Sequence, residues 1–335
     1  MTYESVTRPV LNRKQFLLAG LLAPLAASVP RRARAAERIR YALPAPAFLP
    51  AFTPINLAQI KGYYAEEGLE VDFQTVAGGT EVAKRVAAGE FDLGGGTGDT
   101  PILVRPRGMA VKTIAVLGGK SLTQIMTRRD SAIYSPENFR GKTITVVSNT
   151  DTTYFTLLGF LSSIGVRPDE LKIVPAGPTG VYQMLIDGKA DAMAGVPDWV
   201  VPVQRSGIKT MVFRSDEFFP SMAQAMISAD QTIAARPKAL RAFVRATLRG
   251  LADTIAAPDA AAAAITAKFP QHKGKEELVR DIVRYYASFV YPGQRTPGEI
   301  NTFRMQKVQT FYRERNIVER DTPLKDLSTD QFLTG

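Results

Sequence analysis

The chain has 335 residues, of which 42 are basic and 32 acidic, for a formal net charge of +10. At 45% hydrophobic and 22% charged it can bury the core of one large or two modest domains, which excludes a disordered class. It contains no cysteine, which excludes disulfides, thiolate metal sites and a cysteine nucleophile.

Residues 1–35 differ in kind from the rest. Arg8, Arg13 and Lys14 precede the apolar run FLLAGLLAPLAASV, and Ala33-Arg34-Ala35 supplies small residues at the positions a signal peptidase reads. The run has 14 residues and contains Pro24, so it is short of a membrane span. The expectation is a signal peptide cleaved near Ala35 and a periplasmic mature protein. NRKQFLL resembles the twin-arginine export motif with Lys14 in place of the second arginine, which leaves Sec export open. Beyond residue 35 there are 36 basic and 31 acidic residues, net +5. That is ordinary surface charge without a basic-aromatic stripe, so no nucleic-acid partner is expected.

The remaining elements alternate. RIRYAL (38–43) reads as a strand. Thr53-Pro54 reads as an N-cap followed by proline at the first helical position, and Gly68 closes that helix. LEVDFQTV (69–76) is a strand, Thr80 caps a helix that Gly89 ends, and FDLGGG is a third strand. TGDTPILVR opens a helix and VKTIAVL (111–117) is a fourth strand. The plan then restarts. TITVVS (143–148) is a strand, and a helix over 152–164 begins at Asp151 or Thr152 and ends at Gly165. LKIVPA, a helix capped by Thr179 and ended by Gly188, ADAMAG, a short helix in VPDWVVPVQRSG, and IKTMVF follow. After residue 228 the chain reads as helices alone, which must pack on a lobe already built.

The restart is a repeat. AGGTEVAKRVAAGEFDLGGG (77–96) and AGPTGVYQMLIDGKADAMAG (176–195) align without a gap. They share Ala77/Ala176, Gly78/Gly177, Thr80/Thr179, Val82/Val181, Gly89/Gly188, Asp92/Asp191 and Gly96/Gly195. Punctuation residues dominate, so the shared property is an architecture: two α/β lobes of one plan.

Nucleotide loops are not indicated. GGGTGD (94–99) has Asp99 where the dinucleotide pattern needs glycine, and GGKS (118–121) has Ile114 where a Walker A loop needs glycine. The one histidine, His272, lies in the polar stretch PQHKGK and reads as solvated. No histidine-carboxylate cluster exists, which excludes a Ser-His-Asp triad and a histidine metal site. No cofactor is expected.

In open α/β sheets a ligand sits beyond the carboxyl ends of the strands, at helix N-termini. The candidates there are Phe48, Gly78, Thr80, Thr97 and Asp99 in the first lobe. In the second they are Asn149, Thr150, Asp151, Thr152, Tyr154, Gly177, Thr179, Asp198 and Trp199. Phe48, Tyr154 and Trp199 offer aromatic walls and the hydroxyls polar anchors. Each threonine serves equally well as a helix cap, Trp199 equally well as core, and the three aspartates as caps. An aspartate that points inward favours a ligand with N–H donors over an anion.

GYYAEEGLEVDFQTVAGGTEVAKRVAAGEFDLG, SPENFRGKTITVVSNTDTTYFTLLGFLSSIG and LIDGKADAMAG resemble the periplasmic solute-binding proteins of ABC importers. The resembling branch is the aliphatic-sulfonate, nitrate, taurine and thiamine-pyrimidine-precursor group, over residues 38–335. The resemblance implies a type II periplasmic binding fold, two α/β lobes joined by crossover segments near 119–129 and 215–229. Lobe I would span 36–122 and 218–335 and lobe II 123–217. It implies a non-catalytic, monomeric protein that captures a small nitrogen- or sulfur-containing solute and passes it to an ABC permease. The rival is an enzyme on the same fold, a lyase or pyrimidine-precursor synthase. The fungal synthases of this resemblance use a cysteine cluster that this chain lacks. A sensor module for a membrane partner is a further alternative.

Overall fold

The computed structural model describes residues 1–2, 36–76 and 78–333. The signal-peptide expectation and Ala77 lie outside the described residues. The chain from residue 36 onward opens with β1 (Glu37–Leu43), α1 (Thr53–Ile60), α2 (Tyr63–Glu66), β2 (Leu69–Thr75), α3 (Gly79–Ala87), β3 (Leu93–Thr97), α4 (Thr100–Val104) and β4 (Val111–Val116). A second series follows: β5 (Gln124–Arg128), β6 (Thr143–Val146), α5 (Thr152–Ser163), β7 (Lys172–Pro175), α6 (Gly177–Ile186), β8 (Ala192–Gly195), α7 (Pro197–Arg205) and β9 (Thr210–Arg214). The chain ends with β10 (Gln224–Ala229), α8 (Asp230–Ala235), α9 (Pro237–Ala256), α10 (Pro258–Lys268), α11 (Glu276–Phe289), α12 (Thr302–Glu314) and α13 (Leu324–Leu327).

The strands form two five-stranded sheets of the same order, β2-β1-β3-β10-β4 and β7-β6-β8-β5-β9. In each, three strands are parallel and a fourth enters antiparallel beside the third: β10 against β3 and β4, and β5 against β8 and β9. This is the fold of periplasmic binding proteins. The antiparallel strand in each sheet is the one the chain uses on arriving from the other sheet. The segments 124–128 and 224–229 overlap the crossovers expected from the resemblance and are strands, β10 being the return strand expected in lobe I. The true links are Leu117–Thr123 and Ser215–Ala223.

Side-chain alternation explains how sheet two is buried. Ile125, Ile144, Ala192 and Ala194 pack on one face against Leu157 and Phe160. Met126 and Met193 pack on the other against Val181, Val200 and Val203. Neighbours along a strand point to opposite faces, so a covered sheet needs apolar residues at consecutive positions. Sheet one shares its core with α9, α11 and α12 through Phe243, Tyr286, Val308 and Tyr312.

The sequence repeat is a structural repeat. The Arg40 amide donates to Asp92 Oδ2 and the Thr143 amide to Asp191 Oδ2, both at 2.8 Å. In return the Asp92 and Asp191 amides donate to the Arg40 and Thr143 carbonyls at 3.0 and 2.9 Å. Each aspartate thus pins its own strand to the middle of its sheet. Gly89 and Gly188 end the preceding helices at φ +77° and +71°, where a side chain would be strained. Val82 and Val181 are fully buried at the same helical position.

Several local expectations change. Gly78 and Ala176 occupy the cap positions of α3 and α6, neither helix has a side-chain cap, and Thr80 and Thr179 sit inside the first turns. Thr53 is no cap either; its hydroxyl donates to the Pro50 carbonyl at 2.6 Å, because a short 3-10 turn over Pro50–Phe52 precedes α1. The helix expected to run to Gly68 breaks at Lys61-Gly62 into α1 and α2. Asp151 does cap α5, accepting from the Thr153 amide at 2.9 Å. Among the described residues no helix is long and apolar enough to cross a membrane.

Candidate functional site

The carboxyl ends of the parallel strands of both sheets open on one cavity of about 380 Å³. Sheet one contributes the loop after β1 (Pro44, Ala45, Leu49, Ala51, Phe52), the first turn of α3 and the β3–α4 turn. Sheet two contributes the loop after β6 and the start of α7. The linking segments add Leu117 and Leu122, and α11 adds Tyr286.

Of the residues expected from sequence, Gly78, Thr80, Thr97, Thr150, Asp151, Thr152, Asp198 and Trp199 line this cavity. Phe48, Asp99, Asn149, Tyr154, Gly177 and Thr179 do not. Phe48 packs against His272, whose Nε2 lies 2.6 Å from the Phe48 carbonyl. His272 is buried, contrary to the solvated reading, and ties down the loop that carries Leu49, Ala51 and Phe52. Asp99 is buried and accepts from the Tyr312 hydroxyl at 2.6 Å. Tyr154 packs on Phe155 and the α5 core, Asn149 and Thr179 are exposed, and Gly177 starts α6.

Asp198 is the chemically unusual lining residue. Its Oδ2 accepts from the Tyr286 hydroxyl at 2.6 Å. Its Oδ1 is shielded and has no hydrogen-bond partner, although the residue as a whole is half-buried. Burial is the main cause that pushes its pKa from 3.8 up to about 6. The Tyr286 hydrogen bond and the Ala51 and Asp198 amides pull the other way. The same burial, with the Asp198 charge beside it, holds the Tyr286 hydroxyl well above its ordinary value.

Gln224 and Tyr286 were not foreseen. Gln224 begins the return strand, and its Nε2 donates to the Ala51 carbonyl at 2.9 Å. A carbonyl can only accept, so this bond fixes the amide with Oε1 turned away, and that oxygen has no partner. Tyr286 follows the buried stripe of α11, which announces burial but not its partner. Among the described residues no lysine, arginine or histidine lines the cavity, and no group of acidic and histidine side chains could hold a metal ion.

A family model described as NMT1/THI5 like matches residues 49–261, well over half of the chain. The chain belongs to this family. Among curated relatives of this NMT1/THI5-like chain is the riboflavin-binding protein RibY of Chloroflexus aurantiacus, 25% identical over 93% of the chain and 91% of the relative. Another is the 4-amino-5-hydroxymethyl-2-methylpyrimidine phosphate synthase of Schizosaccharomyces pombe, 23% identical over 81% and 80%. Among solved structures, the periplasmic aliphatic sulphonate binding protein SsuA from Escherichia coli superposes with a TM-score of 0.69. It is 13% identical and the match covers 87% of this chain and 91% of that one, a likeness of fold.

Proposed function

We propose that this NMT1/THI5-like protein is the exported binding component of an ABC importer. It captures a small neutral or cationic heterocycle bearing N–H donors, closes its two lobes over it and yields it to a membrane permease. The observation that carries the ligand class is the electrostatics of the cavity. Among the described residues two carboxylates, Asp151 and Asp198, line it with no cationic side chain. Asp198 also keeps an oxygen without a donor. Burying a sulfonate or nitrate beside them would cost repulsion that only backbone amides oppose. Trp199, half-buried, supplies flat apolar surface for a ring. The names of the riboflavin-binding and pyrimidine-synthase relatives point to the same chemistry.

Trp199 is the single tryptophan of the chain, so its fluorescence reports the cavity alone. Titration of the mature protein with riboflavin, aminopyrimidines, taurine, alkanesulfonates and nitrate should change that emission for the heterocycles and leave it unmoved by the anions. Saturable binding of an anion in preference to every heterocycle would overturn the ligand class. For a heterocycle that binds, calorimetry on Trp199→Ala should show affinity weakened about tenfold or more.

The synthase relative favours a second reading, an enzyme on this fold with Asp198 as its acid or base. Incubation of the protein with a bound heterocycle, followed by mass spectrometry, separates the two. Unchanged ligand supports capture and a new product supports catalysis.

A further inference from the structure

Two strands of backbone join the halves, Leu117–Thr123 and Ser215–Ala223. A side chain from elsewhere grips both. Arg304, in the first turn of α12, donates from Nη1 to the Gly119 carbonyl of the first link. It donates from Nη2 to the Ser221 carbonyl of the second, with Nε 3.4 Å from the Pro220 carbonyl. Burial pulls the Arg304 pKa down, and the charges of Asp216 and Asp99 oppose this. A guanidinium is a rigid planar fork of five donors, so bonding it to carbonyls of two chains fixes their spacing and angle.

The surroundings of this clasp are buried and closely packed. Ser121 Oγ of the first link lies 2.6 Å from Ser221 Oγ of the second, and the Ser215 hydroxyl donates to Ser121 Oγ at 2.8 Å. All three serines are buried. On its outer side the first link lies backbone to backbone on the segment that leaves α11. A Cβ on Gly118 would fall 2.5 Å from the Val290 carbonyl oxygen, and one on Gly119 would fall 2.4 Å from the Gly293 carbonyl carbon. The Lys120 amide donates to the Val290 carbonyl at 3.1 Å. The glycines of GGKS therefore serve close approach, not phosphate binding. The helix anchored there, α11, also bonds Tyr286 to Asp198 in the cavity wall.

We propose that Arg304 is the positioning residue of the hinge: by holding both links it sets the angle between the lobes and thus how far the cavity opens. The use of that angle for capture rests on the proposed function, but its test needs no ligand. The chain has no cysteine, so Lys84→Cys on α3 and Gln183→Cys on α6, both exposed, accept spin labels at those two sites alone. The distance distribution between the labels reads the lobe angle. Arg304→Met should broaden that distribution and move its mean by more than about 2 Å, the scale of a domain rearrangement. Arg304→Lys, a point charge unable to bond both links at once, should do so to a lesser extent. Tyr312→Phe removes a buried bond of the same helix that touches neither link. It should lower stability and leave the distribution as in the parent. A parental distribution in folded Arg304→Met overturns the proposal. If that variant does not fold, a parental distribution in Arg304→Lys overturns it, as does equal broadening by Tyr312→Phe. Ligand binding that fails in the parent overturns the capture reading alone.

Discussion

Asp99 and Asp198 stand 99 residues apart, each at the start of the helix that follows the third strand of its sheet. Each accepts a tyrosine hydroxyl from the C-terminal helices at 2.6 Å, Asp99 from Tyr312 of α12 and Asp198 from Tyr286 of α11. Their surroundings then diverge. The β3–α4 turn is covered at Gly98 and Asp99: a Cβ on Gly98 would strike Met222 Cε at 2.6 Å, and Tyr312 belongs to the sheet-one core. Asp99 is locked into packing, whereas Asp198 borders the cavity and keeps one oxygen without a partner. The mouths differ likewise. Sheet one offers glycine backbone at Gly78, Gly79, Gly95 and Gly96 beside the threonines Thr80, Thr97 and Thr100, while sheet two offers the side chains of Thr150, Asp151, Thr152, Asp198 and Trp199, among them both carboxylates. Duplication supplies a frame, and what later covers each copy decides which polar groups remain free for a ligand.

Three measurements would break or sharpen this comparison. The frame aspartates should differ most. Asp92 is buried and also receives Arg236 Nη1 at 2.6 Å. Asp92→Ala leaves the Arg40 amide without its acceptor and takes one partner from that guanidinium, which keeps Glu37 and the Arg38 carbonyl, and should cost about 3–4 kcal/mol in urea unfolding. Asp191, half-buried and bonded by its carboxylate to the Thr143 amide, should cost about 1–2 kcal/mol on Asp191→Ala. Equal losses would mean that Arg236 adds nothing to the first copy.

Next in size is the pH dependence of Asp198. Its folded pKa, about 6, lies above the unfolded value, so between about pH 4 and 6 the folded state binds more protons than the unfolded one. This group's contribution is therefore fully present at low pH and is lost as pH rises through 6, by up to about 3 kcal/mol. Asp198→Asn should remove that slope from the melting temperature measured over pH 4–7. An unchanged slope would show that the carboxyl is solvated.

The smallest effects belong to Thr80 and Thr179. Neither caps its helix, so Thr80→Ala and Thr179→Ala should each change stability by less than about 0.5 kcal/mol. A loss near 1 kcal/mol in either would restore the capping role.

Punctuation was the most legible part of the sequence. Gly89, Gly188, Asp92 and Asp191 act on backbone within or beside their own units, so their roles survive in a local reading. The strand β5 escaped, and β10 was expected only as an unplaced return strand from the resemblance, because their identity depends on insertion between strands distant in sequence, and QIMTR or QAMISA carries no strong period alone. Eight of the fourteen candidate residues line the cavity because loop position beyond a strand end is a topological fact. Phe48 and Asp99 were lost to partners, His272 and Tyr312, that arrive more than 200 residues later. His272 itself misled because its neighbours are polar while its ring packs between Phe48 and Phe269. Tyr286 and Gln224 entered the site through tertiary contacts that no spacing encodes.

The topology also orders events during synthesis. All five strands of sheet two lie between Gln124 and Arg214 in one continuous stretch, so that half has every strand it needs while the remainder is still being made. Sheet one begins with β1, the first strand among the described residues, yet lacks its fourth neighbour until β10 emerges. Its edge strand gains a last bridge only when Ser328 meets Thr113, seven residues from the C-terminus. The half that is begun first is thus finished last, and a ribosome that stops early leaves it open while its younger copy is whole.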